Sequence, residues 1–123
     1  VDVDRILRSL ALEGLDGRHP ATLSGGQKQR LSVAACVAAD KRVLVFDEPT
    51  SGLDLDGMQR IARLLGRLAD QGRAILVVTH DLELIASACE RALCLKDGHA
   101  GPPVPVKARF DRVRDMMGVP VPR

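Results

Sequence analysis

Three short stretches carry the residue types that chemistry needs. The first is Ser24-Gly25-Gly26-Gln27, which opens a segment of strong helix formers. Ser at a helix N-cap with Gln three residues on is a capping box, in which each side chain satisfies a helix-terminal N–H. That accounts for Ser24 and Gln27 but not for two adjacent glycines, each of which costs roughly 0.5–1 kcal/mol relative to Ala within a helix. A helix start also offers free N–H groups at the positive end of its dipole, and glycine lets a phosphate come against the backbone. The capping box and the anion site can hold together.

The second stretch is Asp47-Glu48, which closes the apolar run VLVF. Adjacent carboxylates repel, so a structural role for both is a poor explanation. One suits Mg²⁺, which prefers a few carboxylates and retained waters. The other can orient or deprotonate an attacking water. The competing reading is an exposed acidic turn ahead of Pro49. The third stretch, Thr79-His80-Asp81, ends a second apolar run. His80 can donate a hydrogen bond to a phosphate oxygen, although a lone His is more often structural. His19 and His99 lie in loop sequence and support no such argument.

The elements that must position these residues alternate. Ile6, Leu7 and Leu10 at helical spacing predict a first helix, with Asp2 or Asp4 near its start. The loop EGLDGRHP precedes a helix over about 24–39. RVLVF reads as a strand buried on both faces, as in a parallel sheet. After the breaker-rich DEPTSGLD, the stripe Met58, Ile61, Leu64, Leu65 and Leu68 predicts a helix that Gly72 stops. AILVVT is a second buried strand, DLELIASACE a helix capped by Asp81, and ALCL a third strand closed by Lys96-Asp97-Gly98. GPPVPV reads as a linker and KARFDRVRDMMG as a last short helix. Strands alternating with helices imply an α/β fold with parallel strands and crossover helices. In such sheets ligands bind at the carboxyl ends of the strands, where Asp47, Glu48 and His80 fall.

In this order and spacing, LSGGQKQR, VLVFDEPTSGLD and VVTHD resemble the ATP-binding-cassette ATPases, from the start of the chain to about Gly98. They look like the signature, the Walker B strand with its D-loop, and the switch histidine. RHPATLSGGQKQR and the tail MMGVPVP look most like the energy-coupling-factor importers of vitamins and transition metals. The resemblance implies a partial P-loop NTPase fold, a parallel sheet flanked by helices. Within it, residues 1–39 would end a helical subdomain and form the signature helix, and 40–98 would run from Walker B to the switch histidine. Residues 99–123 would be a Pro-rich linker and a short C-terminal helix.

For function the resemblance implies ATP and Mg²⁺, with Asp47 helping to hold the metal, Glu48 acting on the attacking water and His80 contacting the γ-phosphate. Ser24, Gly25, Gly26 and Gln27 would meet ATP held by a second ATPase subunit, and Asp54 would sit where the two subunits join. Integral membrane transport subunits would be partners, at the cytoplasmic face of the cell membrane. The pattern departs from the family in one respect: no G-x-x-x-x-G-K-[ST] occurs in these residues. The chain resembles the second half of an ATPase domain, and its first residue is Val. The expectation is a fragment that is inactive alone. The alternative is a non-catalytic remnant or regulatory half that only pairs with an ATPase. Chromosome-maintenance ATPases share the signature but insert long coiled coils, and no heptad run is present.

Composition bounds the rest. The chain has 123 residues, enough for one domain with a moderate core. The formal net charge of +2 and the absence of Trp and Tyr argue against nucleic acid as a partner. Cys36, Cys89 and Cys94 show no CxxC spacing and read as reduced, buried thiols. No apolar run approaches the roughly 20 residues of a membrane span.

Overall fold

A computed structural model describes residues 2–15 and 17–118. The chain divides into two compact units, Val1–Thr79 and His80–Arg123.

The first unit begins with helix α1 (Val3–Ser9), whose N-cap is Asp2, with its side chain accepting the Arg5 N–H. A 3₁₀ turn at Pro20–Thr22 leads into helix α2 (Gly25–Ala38). Strand β1 (Val43–Asp47), helix α3 (Leu55–Asp70) and strand β2 (Ala74–Val78) follow as a β-α-β unit. The two strands pair in parallel, Val43 opposite Ala74 through Asp47 opposite Val78. Helix α2 packs on β1 and α3 on β2. The predicted stripe of α3 is buried in full, together with Gly57 and Ala62. Arg73 ties the entrances of the two strands together, donating to the Asp40 carboxylate and to the Lys41 carbonyl. That ion pair holds the Asp40 carboxyl below its usual pKa of 3.8.

The strands are not buried on both faces. Leu44 and Phe46 are inside, while Val43 and Val45 on the other face are 63% and 56% exposed. Leu76 and Val78 on β2 continue that exposed face at 57% and 43%. The cause is layer count. A parallel strand needs a covering element on each face, and the helices packed on these strands leave the odd-numbered face of β1 open.

The second unit contains helix α4 (Leu82–Ala88), strands β3 (Arg91–Ala92), β4 (Leu95–Lys96), β5 (His99–Ala100) and β6 (Val104–Pro105), and helix α5 (Phe110–Met116). Asp81 caps α4, accepting the N–H groups of Glu83 and Leu84. The predicted third parallel strand over ALCL does not form as one strand. Ala92 pairs antiparallel in β3 with β6, and Leu95 in β4 with β5. Asp97 and Gly98 both have positive φ, which folds the chain back as a tight hairpin and gives β4 an antiparallel partner. The expected linker over 101–106 is also packed rather than free. Val104 and Val106 are buried with Ile85 and Val113 in one apolar cluster. The last helix forms as expected. Of the tail, Val119–Pro122 lie outside the described residues.

The three cysteines are free, and each is half-buried rather than buried. Desolvation raises the pKa of the Cys89 thiol. Among the described residues, no helix is long and apolar enough to cross a membrane.

Candidate functional site

The first unit brings the start of α2 and the carboxyl ends of β1 and β2 into one connected arrangement. The capping box is present in both directions. Gln27 N–H donates to Ser24 Oγ at 3.1 Å, and Ser24 N–H donates to Gln27 Oε1 at 2.9 Å. The helix therefore starts cleanly without an external ligand. Packing does not explain the glycines. A Cβ on Gly25 would meet nothing within 4 Å, and one on Gly26 would make only ordinary contacts with Leu53 and Arg30. Neither glycine has positive φ. Among the described residues, neither packing nor backbone conformation therefore requires a glycine at position 25.

Asp47 is the last residue of β1 and is exposed. Among the described residues no group of three or more His, Cys, Asp or Glu forms a metal cage. A single exposed carboxylate at a strand end fits Mg²⁺ all the same, because that ion keeps several waters and takes phosphate oxygens for the remaining positions.

Glu48 carries the most distinctive backbone of the site. Its φ is +49°, left-handed, in a residue that is neither Gly nor Asn. Such a conformation costs of order 1–3 kcal/mol and persists only where the surroundings over-determine it. Here they do. The Glu48 N–H donates to the Val78 carbonyl on β2 at 2.7 Å. The Glu48 carbonyl accepts from Gln29 Nε2 on α2 at 2.9 Å and from the Ser51 N–H at 3.2 Å. Thr79 Oγ1, just beyond β2, donates to Glu48 Oε2 at a long 3.4 Å. The parallel register places Asp47 opposite Val78, so Glu48 and Thr79 leave the sheet side by side. An exposed acidic turn would need none of these ties, and Glu48 is half-buried.

Asp54 is the N-cap of α3, its Oδ1 accepting the Gly57 N–H at 2.8 Å. The side chain thus has an intrachain structural role that the motif alone does not indicate. His80 is exposed and opens the second unit, directly after Thr79 in the chain. Ser24, Gly25, Gly26, Gln27, Asp47, Glu48 and Asp54 all lie in the first unit.

Sequence reasoning passes over Gln29, although a signal for it exists. Gln29 precedes the buried Val33 and Val37 of α2 by one and two helical turns, so a half-buried polar side chain falls at the edge of the buried face and calls for a partner.

The family model described as ABC transporter matches residues 1–51. A putative ABC transporter ATP-binding protein of Treponema denticola is 52% identical over 96 residues, 78% of this chain and 20% of that protein. An energy-coupling factor transporter ATP-binding protein of Methanospirillum hungatei is 43% identical over 96 residues, again 78% of this chain, and 24% of that protein. Among solved structures, an ATP-binding cassette seen as a dimer in a post-hydrolysis state with ADP and phosphate is 32% identical with a TM-score of 0.73. The match covers 83% of this chain and 44% of that one. An archaeal ribosome recycling factor, in complex with a ribosomal stalk protein, superimposes with a TM-score of 0.79 at 28% identity. It covers 90% of this chain and 22% of that one. The chain spans about a fifth to a third of the length of the curated relatives it matches.

Proposed function

From the premise that this chain belongs to the ABC transporter ATPase family, as part of its ATP-binding domain, we propose that it is the catalytic half of a transport ATPase, of the energy-coupling-factor importer type. The observation that carries the reading is the over-determined left-handed backbone of Glu48 at the carboxyl end of a parallel strand.

In this reading Glu48 is the general base. Its carboxylate takes a proton from water as the water oxygen attacks the γ-phosphorus of ATP, and ADP leaves. Asp47 would help to hold Mg²⁺, which would neutralise phosphate charge when bound. His80 donates a hydrogen bond to the γ-phosphate. Ser24, Gly25, Gly26 and Gln27 offer the start of α2 to ATP held by a second ATPase subunit. The open space at Gly25 supports this, since the phosphate would occupy it. Asp54 lies in the loop where the subunits meet. Integral membrane subunits at the cytoplasmic face of the membrane receive the motion, and vitamins or transition-metal ions are the cargo class that the energy-coupling-factor likeness suggests.

The test is Glu48→Gln in the complete ATPase domain. ATP turnover should fall by roughly 10²–10⁴-fold, the span for loss of a positioned general base, while ATP still binds. Turnover within a few-fold of the unsubstituted protein would remove Glu48 from the role.

A further inference from the structure

We propose that Gln29 is a positioning residue for hydrolysis. Its side-chain amide holds the Glu48 backbone in the conformation that presents the carboxylate. The proposal rests on the reading of Glu48 as the base.

The argument begins with what fixes a left-handed residue. The bonds on its N–H and on its carbonyl flank the two rotatable dihedrals, so both must be held. On the N–H side the holder is the Val78 carbonyl, part of the sheet itself, at 2.7 Å. On the carbonyl side there are two donors. The Ser51 N–H, at 3.2 Å, belongs to the same turn and moves with it. Gln29 Nε2, at 2.9 Å, comes from a different element and is the shorter of the two. The turn is therefore referenced to α2 through Gln29. Pro49 adds to the need, because the residue before a proline is pushed toward extended backbone, and the left-handed state of Glu48 must be held against that preference.

The placement of Gln29 points the same way. It stands at the edge of the buried face of α2, one turn before Val33 and two before Val37, and is itself half-buried. Helix α2 is closed at its start by the Ser24–Gln27 capping box and does not need Gln29 for its own termini. The half-buried amide instead spans to the residue that carries the reacting carboxylate. Gln29 touches neither nucleotide nor water in this scheme. Its effect passes through Glu48, so it belongs in the turnover number and not in substrate affinity.

The experiment uses the complete ATPase domain with Gln29→Met, which keeps length but cannot donate. Gln29→Glu presents an acceptor to the carbonyl, and Gln29→Lys keeps a donor of similar reach. Each is measured for kcat, for KM with ATP and for Tm, alone and together with Glu48→Gln. Gln29→Met and Gln29→Glu should lower kcat by roughly ten- to a hundredfold, the scale of a small misplacement of a catalytic group, with KM nearly unchanged. Gln29→Lys should recover most of the rate. In the Glu48→Gln background, none of the three should lower the residual rate further. If Glu48→Gln abolishes turnover while Gln29→Met and Gln29→Glu run at the normal rate, Glu48 stands and Gln29 is only structural. Gln29 is likewise only structural if Lys fails as badly as Glu, or if the Gln29 losses multiply with that of Glu48→Gln. If Glu48→Gln itself keeps turnover, the base assignment falls first and this proposal with it.

Discussion

Asp54 Oδ1 accepts the backbone N–H of Gly57 at 2.8 Å, and Gly57 carries no Cβ to crowd that oxygen. A Cβ at position 57 would lie 3.1 Å from that oxygen and 3.3 Å from the Cβ of Leu53. The pair starts α3, the helix whose stripe from Met58 to Leu68 fills the buried side of the first unit. Asp54→Ala should therefore destabilise the protein by about 1 kcal/mol, the usual worth of an N-cap side chain, and Asp54→Ser should restore most of it. Urea denaturation midpoints measure both. Equal midpoints for Asp54→Ala and the unsubstituted protein would mean that the carboxylate serves something other than the helix.

Gly25→Asp should block hydrolysis through the partner subunit. Space around Gly25 is open, so the substitution does not strain the chain. An aspartate at the first position of a helix is also tolerated electrostatically. What it opposes is a phosphate arriving at the same place. In mixed dimers with one substituted subunit, only the site completed by that subunit's α2 should fail. Equal loss at both sites would count against nucleotide binding between subunits.

How much of this is legible in the sequence follows the range of the forces involved. The capping box at Ser24 and Gln27, the cap at Asp81 and the stripe of α3 are local patterns, and each forms where the sequence places it. The left-handed state of Glu48 is not local. It is set by donors and acceptors on α2 and β2, which no spacing rule near residue 48 encodes. ALCL reads as one strand from its apolar composition, but a strand's partner decides its length, and the turn at Asp97-Gly98 supplies an antiparallel one. The segment GPPVPV reads as a linker because its prolines cannot donate to a sheet ladder. Val104 and Val106 nonetheless find Ile85 and Val113 to pack against, a long-range contact that local composition does not encode.

His80→Ala should lower hydrolysis more than nucleotide affinity. The proposed contact is with the γ-phosphate only, so ADP binding should be unaffected. Parallel titrations with ATP and ADP, together with single-turnover rates, separate the two effects. A large fall in ATP affinity with an unchanged rate per bound ATP would contradict the assignment.

Gly66→Ala should stabilise the protein. Gly66 lies inside α3, and a Cβ there would meet nothing within 4 Å. The gain should be about 0.5–1 kcal/mol from the smaller loss of backbone entropy. A thermal midpoint that falls on this substitution would reveal a close approach at that helix face that the first unit alone does not contain.

The 123-residue chain taken alone should self-associate and should not bind ATP tightly. Val43, Val45, Leu76 and Val78 form one exposed apolar face across both strands of the parallel pair. Among the described residues each of these strands pairs only with the other, so each also presents an outer edge of unsatisfied backbone groups. Apolar faces and open edges of this kind recruit further chains. Tight ATP binding elsewhere in P-loop enzymes draws on a Gly-rich loop and its lysine, and these residues contain no G-x-x-x-x-G-K-[ST] stretch. Mass in solution should rise with concentration, and Val45→Lys with Leu76→Lys should lower it without loss of helical signal, because both positions point away from the buried side. A fluorescent ATP analogue should show no saturable binding in the micromolar range. A monomer at every concentration that binds the analogue tightly would overturn both expectations together. A monomer that does not bind would leave the phosphate argument standing and refute the one built on the exposed sheet face.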